Sequence, residues 1–179
     1  MCVADDGALL YRARKGDEAA FSELYARHRR AILRYAIHMA GHDIADDVVQ
    51  ETFLAVLKQT NHGQEPRVPV AYLIGIARHI ILKRLRLPIE EAVDDETPFL
   101  ASTDMSPLEE LTRDERVHAV RTAIDTLPTQ YREAIVLCEL GEVDYATAAT
   151  IMECPIGTVR SRLSRGRALL LRKLSELVR

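Results

Sequence analysis

The sequence predicts an all-α protein: two small helical domains joined by an acidic linker, with a helix-turn-helix in the C-terminal domain. No run alternates apolar and polar residues at the two-residue period of a half-buried strand, whereas apolar residues recur at helical spacing along most of the chain. Aromatic residues are only 5% of the composition and Trp is absent, so Leu, Ile, Val and Ala must do most of the packing, which favours helices. Charge then divides the chain. Residues 1–88 carry 13 basic and 10 acidic groups (+3), residues 89–116 carry 2 and 10 (−8), and residues 117–179 carry 9 and 7 (+2). The overall net charge of −3 conceals two mildly basic modules around an acidic connector. The domains are placed at 1–88 and 107–179, with the linker at 89–106.

Taken in order, Asp5 or Asp6 opens a first helix that Gly16 closes. Asp17 caps a second, whose apolar face is Phe21, Leu24, Tyr25, Ile32, Leu33, Ala36 and Ile37, and Gly41 ends it. Asp43 caps a third, with Val48, Val49, Phe53, Val56 and Leu57 as its buried face. The Gly and Pro content of residues 61–69 marks a loop. Residues 70–86 form a fourth helix, apolar at Leu73, Ile76, Ala77, Ile80 and Ile81 and basic at Arg78, Lys83, Arg84 and Arg86. Gly75 inside it costs about 1 kcal/mol relative to Ala, which points to a close backbone contact there. Pro88 stops that helix. Ser106-Pro107-Leu108-Glu109 has the form of a capping box, so a new helix starts there and runs toward Thr126. Pro128 opens the next, which continues through Cys138, and Gly141 ends it.

Asp144 then suits the N-cap of a short helix, and Met152-Glu153-Cys154 breaks it. Pro155 restarts the pattern at a first helical position, where its missing N–H costs nothing. From there Ile156, Val159, Leu163, Leu170 and Leu174 form one apolar stripe, with Arg160, Arg162, Arg165 and Arg167 off it and Thr158, Ser161 and Ser164 among them. Six basic residues and no acid lie between Arg160 and Lys173. A helix-turn-helix with a basic, hydroxyl-rich second helix is suited to a DNA major groove. Arg160 and Arg162, in the first turns, are placed to meet base edges, and Arg165 and Arg167 to meet phosphate.

Other chemistries find less support. The three cysteines are odd in number and lack metal-ligand spacing. His38 and His42 are four apart but have no third ligand nearby, so no metal site is expected. There is no Walker-type loop, zinc-hydrolase motif or nucleophile elbow, so neither an enzyme nor a cofactor is expected. The N-terminus lacks a signal-peptide pattern, and the nearly uncharged stretch Val68 to Ala77 is too short to span a bilayer; a cytoplasmic protein without membrane insertion is expected.

Both modules resemble one family. Leu127-Pro-Thr-Gln-Tyr-Arg-Glu-Ala-Ile-Val-Leu137 with Cys154-Pro-Ile-Gly-Thr-Val-Arg-Ser-Arg-Leu-Ser-Arg-Gly-Arg167 resembles the promoter-binding domain of bacterial RNA polymerase sigma factors. The extracytoplasmic-function (ECF) group of the sigma-70 family, with only two folded domains, is the nearest likeness. Asp17-Glu-Ala-Ala-Phe-Ser-Glu-Leu-Tyr25 and Ala45-Asp-Asp-Val-Val-Gln-Glu-Thr-Phe-Leu54 resemble that group's other domain. The resemblance implies partners: core RNA polymerase, through its β-prime clamp helices and β subunit, promoter DNA, and in some members an anti-sigma factor.

By the same resemblance, Asp47, Gln50 and Glu51 dock on the clamp helices. Asp43, Asp47 and Glu51, spaced by four, form an acidic ridge on one helix face, consistent with that role or with a plain solvated face. The fourth helix resembles the part that meets the minus-ten promoter element. There Tyr72 and His79 are candidate rings for unstacked bases, and Arg78, Lys83 and Arg84 candidate cations for phosphate. The family commonly has Trp where Tyr72 stands and Asn where His79 stands, so packing or surface roles for these two remain an equal reading. Two rival functions stay in view. One is a free-standing helix-turn-helix repressor or activator with an N-terminal sensing or dimerising domain. The other is an all-helical Mg²⁺-dependent nucleotide hydrolase, which would need acids on the helix facing Asp47 and Glu51.

Overall fold

The computed structural model describes residues 5–58, 66, 68–86 and 112–177, and all regular structure among them is helical. The chain divides into two compact units, Met1–Ile89 and Glu90–Arg179. The linker at 89–106, the capping box at Ser106–Glu109 and most of the loop at 61–69 lie outside the described residues.

The first unit contains α1 (Asp6–Arg14), α2 (Glu18–Ala40), α3 (His42–Lys58) and α4 (Pro69–Leu85). Asp17 caps α2 as expected: its Oδ1 accepts from the Ala20 N–H at 3.0 Å, and its Oδ2 accepts from Arg12 Nε at 2.8 Å. All four helices meet in one core, filled by Leu9 and Leu10 of α1, Leu24 and Ile32 of α2, Val48 and Phe53 of α3, and Leu73 and Ile81 of α4. Each such side chain contributes about 1.5–3 kcal/mol by leaving water. The Phe53 ring stands edge-on to Phe21 with centroids 6.0 Å apart, and 4.7 Å from the Tyr25 ring.

Several expectations for this unit are corrected. α3 begins at His42, so Asp43 lies inside the first turn, where its charge suits the positive helix end but caps nothing. Leu57 is exposed, being turned away from the Val49–Phe53–Val56 seam. A Cβ built on Gly75 would meet nothing within 4 Å, so no close backbone contact explains that glycine. α4 starts one residue early, at Pro69, in the first position that proline favours.

The second unit contains α5 (Arg113–Asp125), α6 (Thr129–Ile135), a π-helical turn (Val136–Leu140), α7 (Tyr145–Met152) and α8 (Ile156–Leu177). A capping box opens α5: the Glu115 N–H donates to Thr112 Oγ1 at 3.3 Å, and the Thr112 N–H donates to Glu115 Oε2 at 2.8 Å. The π turn carries the sixth helix past Cys138 to Leu140, closed by the Gly141 N–H donating to the Val136 carbonyl at 2.9 Å. Only glycine fits position 141, because a Cβ there would stand 2.6 Å from the Leu137 carbonyl oxygen. Ile124, Leu127, Ile135, Leu137, Ile151, Val159 and Leu163 form this unit's core. α8 crosses α6 at Gly166, where a Cβ would stand 3.1 Å from Ile135 Cγ1 and 3.2 Å from the Tyr131 carbonyl oxygen.

Candidate nucleic-acid and polymerase interfaces

α7 and α8 form the helix-turn-helix. Asp144 caps α7, its Oδ1 accepting from the N–H groups of Ala146 and Thr147, each at 3.0 Å. The Thr147 hydroxyl donates to Asp144 Oδ2 at 2.6 Å, and these bonds, the Thr147 hydroxyl first, hold the carboxyl below its ordinary range. The break falls at Glu153, which adopts the left-handed conformation with φ 53°. Pro155 lies one position ahead of the helix and caps it through its carbonyl, which accepts from Thr158 at 2.9 Å and from Val159 at 3.2 Å.

On α8, Arg160, Ser164 and Arg167 stand at i, i+4 and i+7 and share one outward face. Arg160 and Arg167 are exposed, while Thr158, Ser161, Ser164 and Arg165 are half-buried. Ser161 donates its hydroxyl proton to the Thr158 carbonyl at 3.0 Å and keeps its acceptor capacity. Arg162 does not join them. It lies on the inward face between Val159 and Gly166 and is only 6% exposed, away from the face that Arg160 and Arg167 share. Ile156 departs in the opposite sense, standing 42% exposed at the first position of α8.

Tyr145 was not singled out from sequence, although its place directly after the cap of α7 was visible. Its ring lies under the Arg160 guanidinium, 5.9 Å from centroid to Cζ, in cation–π range. Arg167 is also coupled to Tyr145, but its main partner is Glu139 on the π turn, which accepts from Arg167 Nε at 3.0 Å. Both outward arginines are thus held in place by neighbouring elements.

In the first unit, α4 presents His79, Lys83 and Arg84 to solvent, with Tyr72 half-buried in its first turn. Arg78 is corrected. It follows Ile74 by four and precedes Ile81 by three, so it falls on the core stripe, 6% exposed, rather than on the cationic surface. Arg84 bridges to α3, pairing with Glu51 and lying 3.5 Å from Asp47 Oδ2. The residue facing those carboxylates is therefore a cation, which does not suit a magnesium cage. The outward face of α3 carries Asp43, Asp47, Gln50 and Glu51 together with Leu54, 52% exposed and not anticipated as part of this surface. Val48 and Phe53, on the opposite side, are in the core, as the buried face read from sequence requires. Among the described residues no helix is long and apolar enough to cross a membrane.

The family model described as Sigma-70 region 2 matches residues 24–87, and that described as Sigma-70, region 4 matches residues 118–170. The RNA polymerase sigma-H factor of Pseudomonas aeruginosa is 31% identical, over 97% of this chain and 96% of its own length. This chain belongs to the sigma-70 family. Among its sigma-70 relatives, the ECF RNA polymerase sigma-E factor of Haemophilus influenzae is 29% identical over 97% of both chains. A solved sigma factor RpoE from Bartonella quintana, in complex with the anti-sigma factor NepR, is 28% identical with a TM-score of 0.66, covering 87% of this chain and 96% of that one. Together these make the chain an ECF sigma factor. The two region models fall one on each compact unit, region 2 over α2–α4 and region 4 over the helix-turn-helix.

Proposed function

We propose that this ECF sigma factor divides its work between three surfaces. The outward face of α3, with Asp47, Gln50, Glu51 and Leu54, docks on core RNA polymerase. The exposed side of α4, with Tyr72, His79 and Lys83, meets the opened minus-ten strand. The outward face of α8, with Arg160, Ser164 and Arg167 and with Arg165 and Ser161 at its margins, enters the minus-thirty-five major groove. In this reading the protein works in the cytoplasm, where its polymerase is, and acts as a transcription factor without catalysis of its own. Likeness to a relative solved with an anti-sigma factor supports a protein partner that restrains it.

The observation that carries the reading is the face of α3. Leu54 stands 52% exposed beside Asp47, Gln50 and Glu51, combining an unburied apolar anchor with charge, as a protein-docking surface does. Rim charges act mainly on association rate, whereas an apolar anchor acts on dissociation. Asp47→Lys should slow association with core polymerase and Leu54→Ala should speed dissociation, both at unchanged helical content. Surface plasmon resonance against immobilised core enzyme checks this, and wild-type kinetics for both variants would overturn the assignment.

A further inference from the structure

Arg14, in the last turn of α1, reaches Tyr72 in the first turn of α4. Arg14 Nη2 donates to the Tyr72 hydroxyl at 2.8 Å, and the guanidinium carbon lies 5.4 Å from the Tyr72 ring centroid. We propose that Arg14 is a positioning residue for Tyr72, fixing the ring at the face of α4 that takes an unstacked base of single-stranded DNA. The proposal rests on the assignment of α4 above.

Three features make the contact a device for placement. Arg14 is anchored, since Leu10 and Ala13 beside it are buried in the core and the last turn of α1 cannot shift without disturbing them. Its bond to the hydroxyl is part-buried, and a charge-assisted bond shielded from water is stronger and more directional than a neutral surface one. Tyr72 is half-buried on a helix, so two side-chain torsions decide where its ring lies; the bond to the hydroxyl, which lies on the axis of the second torsion, holds the first, and the guanidinium over the ring bears on the second. Stacking on a base depends on that placement and is worth about 1–3 kcal/mol per base. A tyrosine offers what a larger fused ring does not, a terminal hydroxyl by which a neighbouring helix can hold it.

The test uses the full chain with core polymerase on a promoter fragment selected from a randomised library with the wild-type protein. Permanganate reactivity of opened thymines is compared for Arg14→Met, Tyr72→Phe, the double variant and Tyr72→Ala. Met keeps much of the aliphatic stem, and Phe keeps the ring while losing the hydroxyl. Arg14→Met should lower the open-complex signal about tenfold, the scale of one lost charge-assisted hydrogen bond, with core-polymerase binding unchanged. In the Tyr72→Phe background the same substitution should lower it less than about twofold further, because the bond is already gone. A wild-type signal for Arg14→Met overturns the proposal, and so does an equal loss with and without the hydroxyl, which would mean that Arg14 acts on its own. If Tyr72→Ala is defective while Arg14→Met is normal, the proposal alone fails. If Tyr72→Ala opens the promoter as well as wild type, the assignment of α4 fails and takes the proposal with it.

Discussion

Arg160 and Arg162 are the same residue two positions apart, yet α8 turns them roughly 200° from each other. One lies over Tyr145 on the outward face, and the other is buried between Val159 and Gly166. An apolar stripe read from sequence counts residue types and so passes over an arginine whose long stem covers core surface. It also omits Gly166, the position that brings α8 against α6 and defines which side is inward. The two arginines should therefore fail differently. Arg160→Ala should leave thermal stability nearly unchanged and relax base preference at one or two positions of the upstream promoter element, a bidentate guanine contact being worth about 1–3 kcal/mol of discrimination. Arg162→Ala should destabilise the C-terminal unit by about 1–3 kcal/mol, as substitutions of buried side chains do, without altering preference. Transcription from a randomised upstream element, set beside thermal melts, separates the two. A preference change with Arg162→Ala at full stability would return it to the reading set.

At the scale of elements, caps were the most legible features because they are local. Asp17 and Asp144 each precede a helix and accept its first free N–H groups, as their sequence positions imply. Asp43 was placed two positions past the N-cap position and Pro155 one position off, since several residues near a helix start satisfy the same pattern. The π turn after α6 was not legible, because no residue type favours that register. It is defined by the Gly141 N–H donating to the Val136 carbonyl, five residues back, at 2.9 Å. The glycines inside α4 and α8 show how packing decides what composition cannot. Gly75 and Gly166 both cost helix propensity, but a methyl at 75 meets open space, whereas one at 166 presses on the backbone of Tyr131 and on Ile135. Gly75→Ala should therefore stabilise the N-terminal unit by about 0.5–1 kcal/mol. Gly166→Ala should destabilise the C-terminal unit in spite of the same propensity gain, because a backbone oxygen cannot give way as a side-chain tip does. Chemical denaturation of the two variants checks the pair, and shifts of the same sign would show that propensity alone governs both positions.

Across the whole molecule, charge counts divide the sequence into two mildly basic stretches around an acidic one, and the chain divides into two compact units, Met1–Ile89 and Glu90–Arg179. What the counts did not show is how much of the basic charge is already engaged. On α8, Arg160 lies on Tyr145, Arg167 is paired with Glu139 and Arg162 is buried; on α4, Arg84 is paired with Glu51 and Arg78 is buried. A chain of net charge −3 whose two outward arginines on α8 are both held by neighbours has little free positive charge on that helix face to offer a duplex. Each phosphate neutralised adds about −0.9 to the slope of log affinity against log salt, and α8 offers about two such contacts, at Arg165 and Arg167. The protein alone should therefore bind promoter duplex no more tightly than about micromolar at physiological salt, the range of non-specific binding. Selectivity should appear when core polymerase holds the protein against the promoter, so that release of Arg160 from Tyr145 and of Arg167 from Glu139 is offset by many contacts made together. Fluorescence anisotropy with a labelled duplex, with and without core enzyme and at two salt concentrations, measures both terms. Nanomolar, sequence-selective binding by the protein alone would mean that the helix-turn-helix is self-sufficient, as in a free-standing repressor, and that its intramolecular partners do not restrain it.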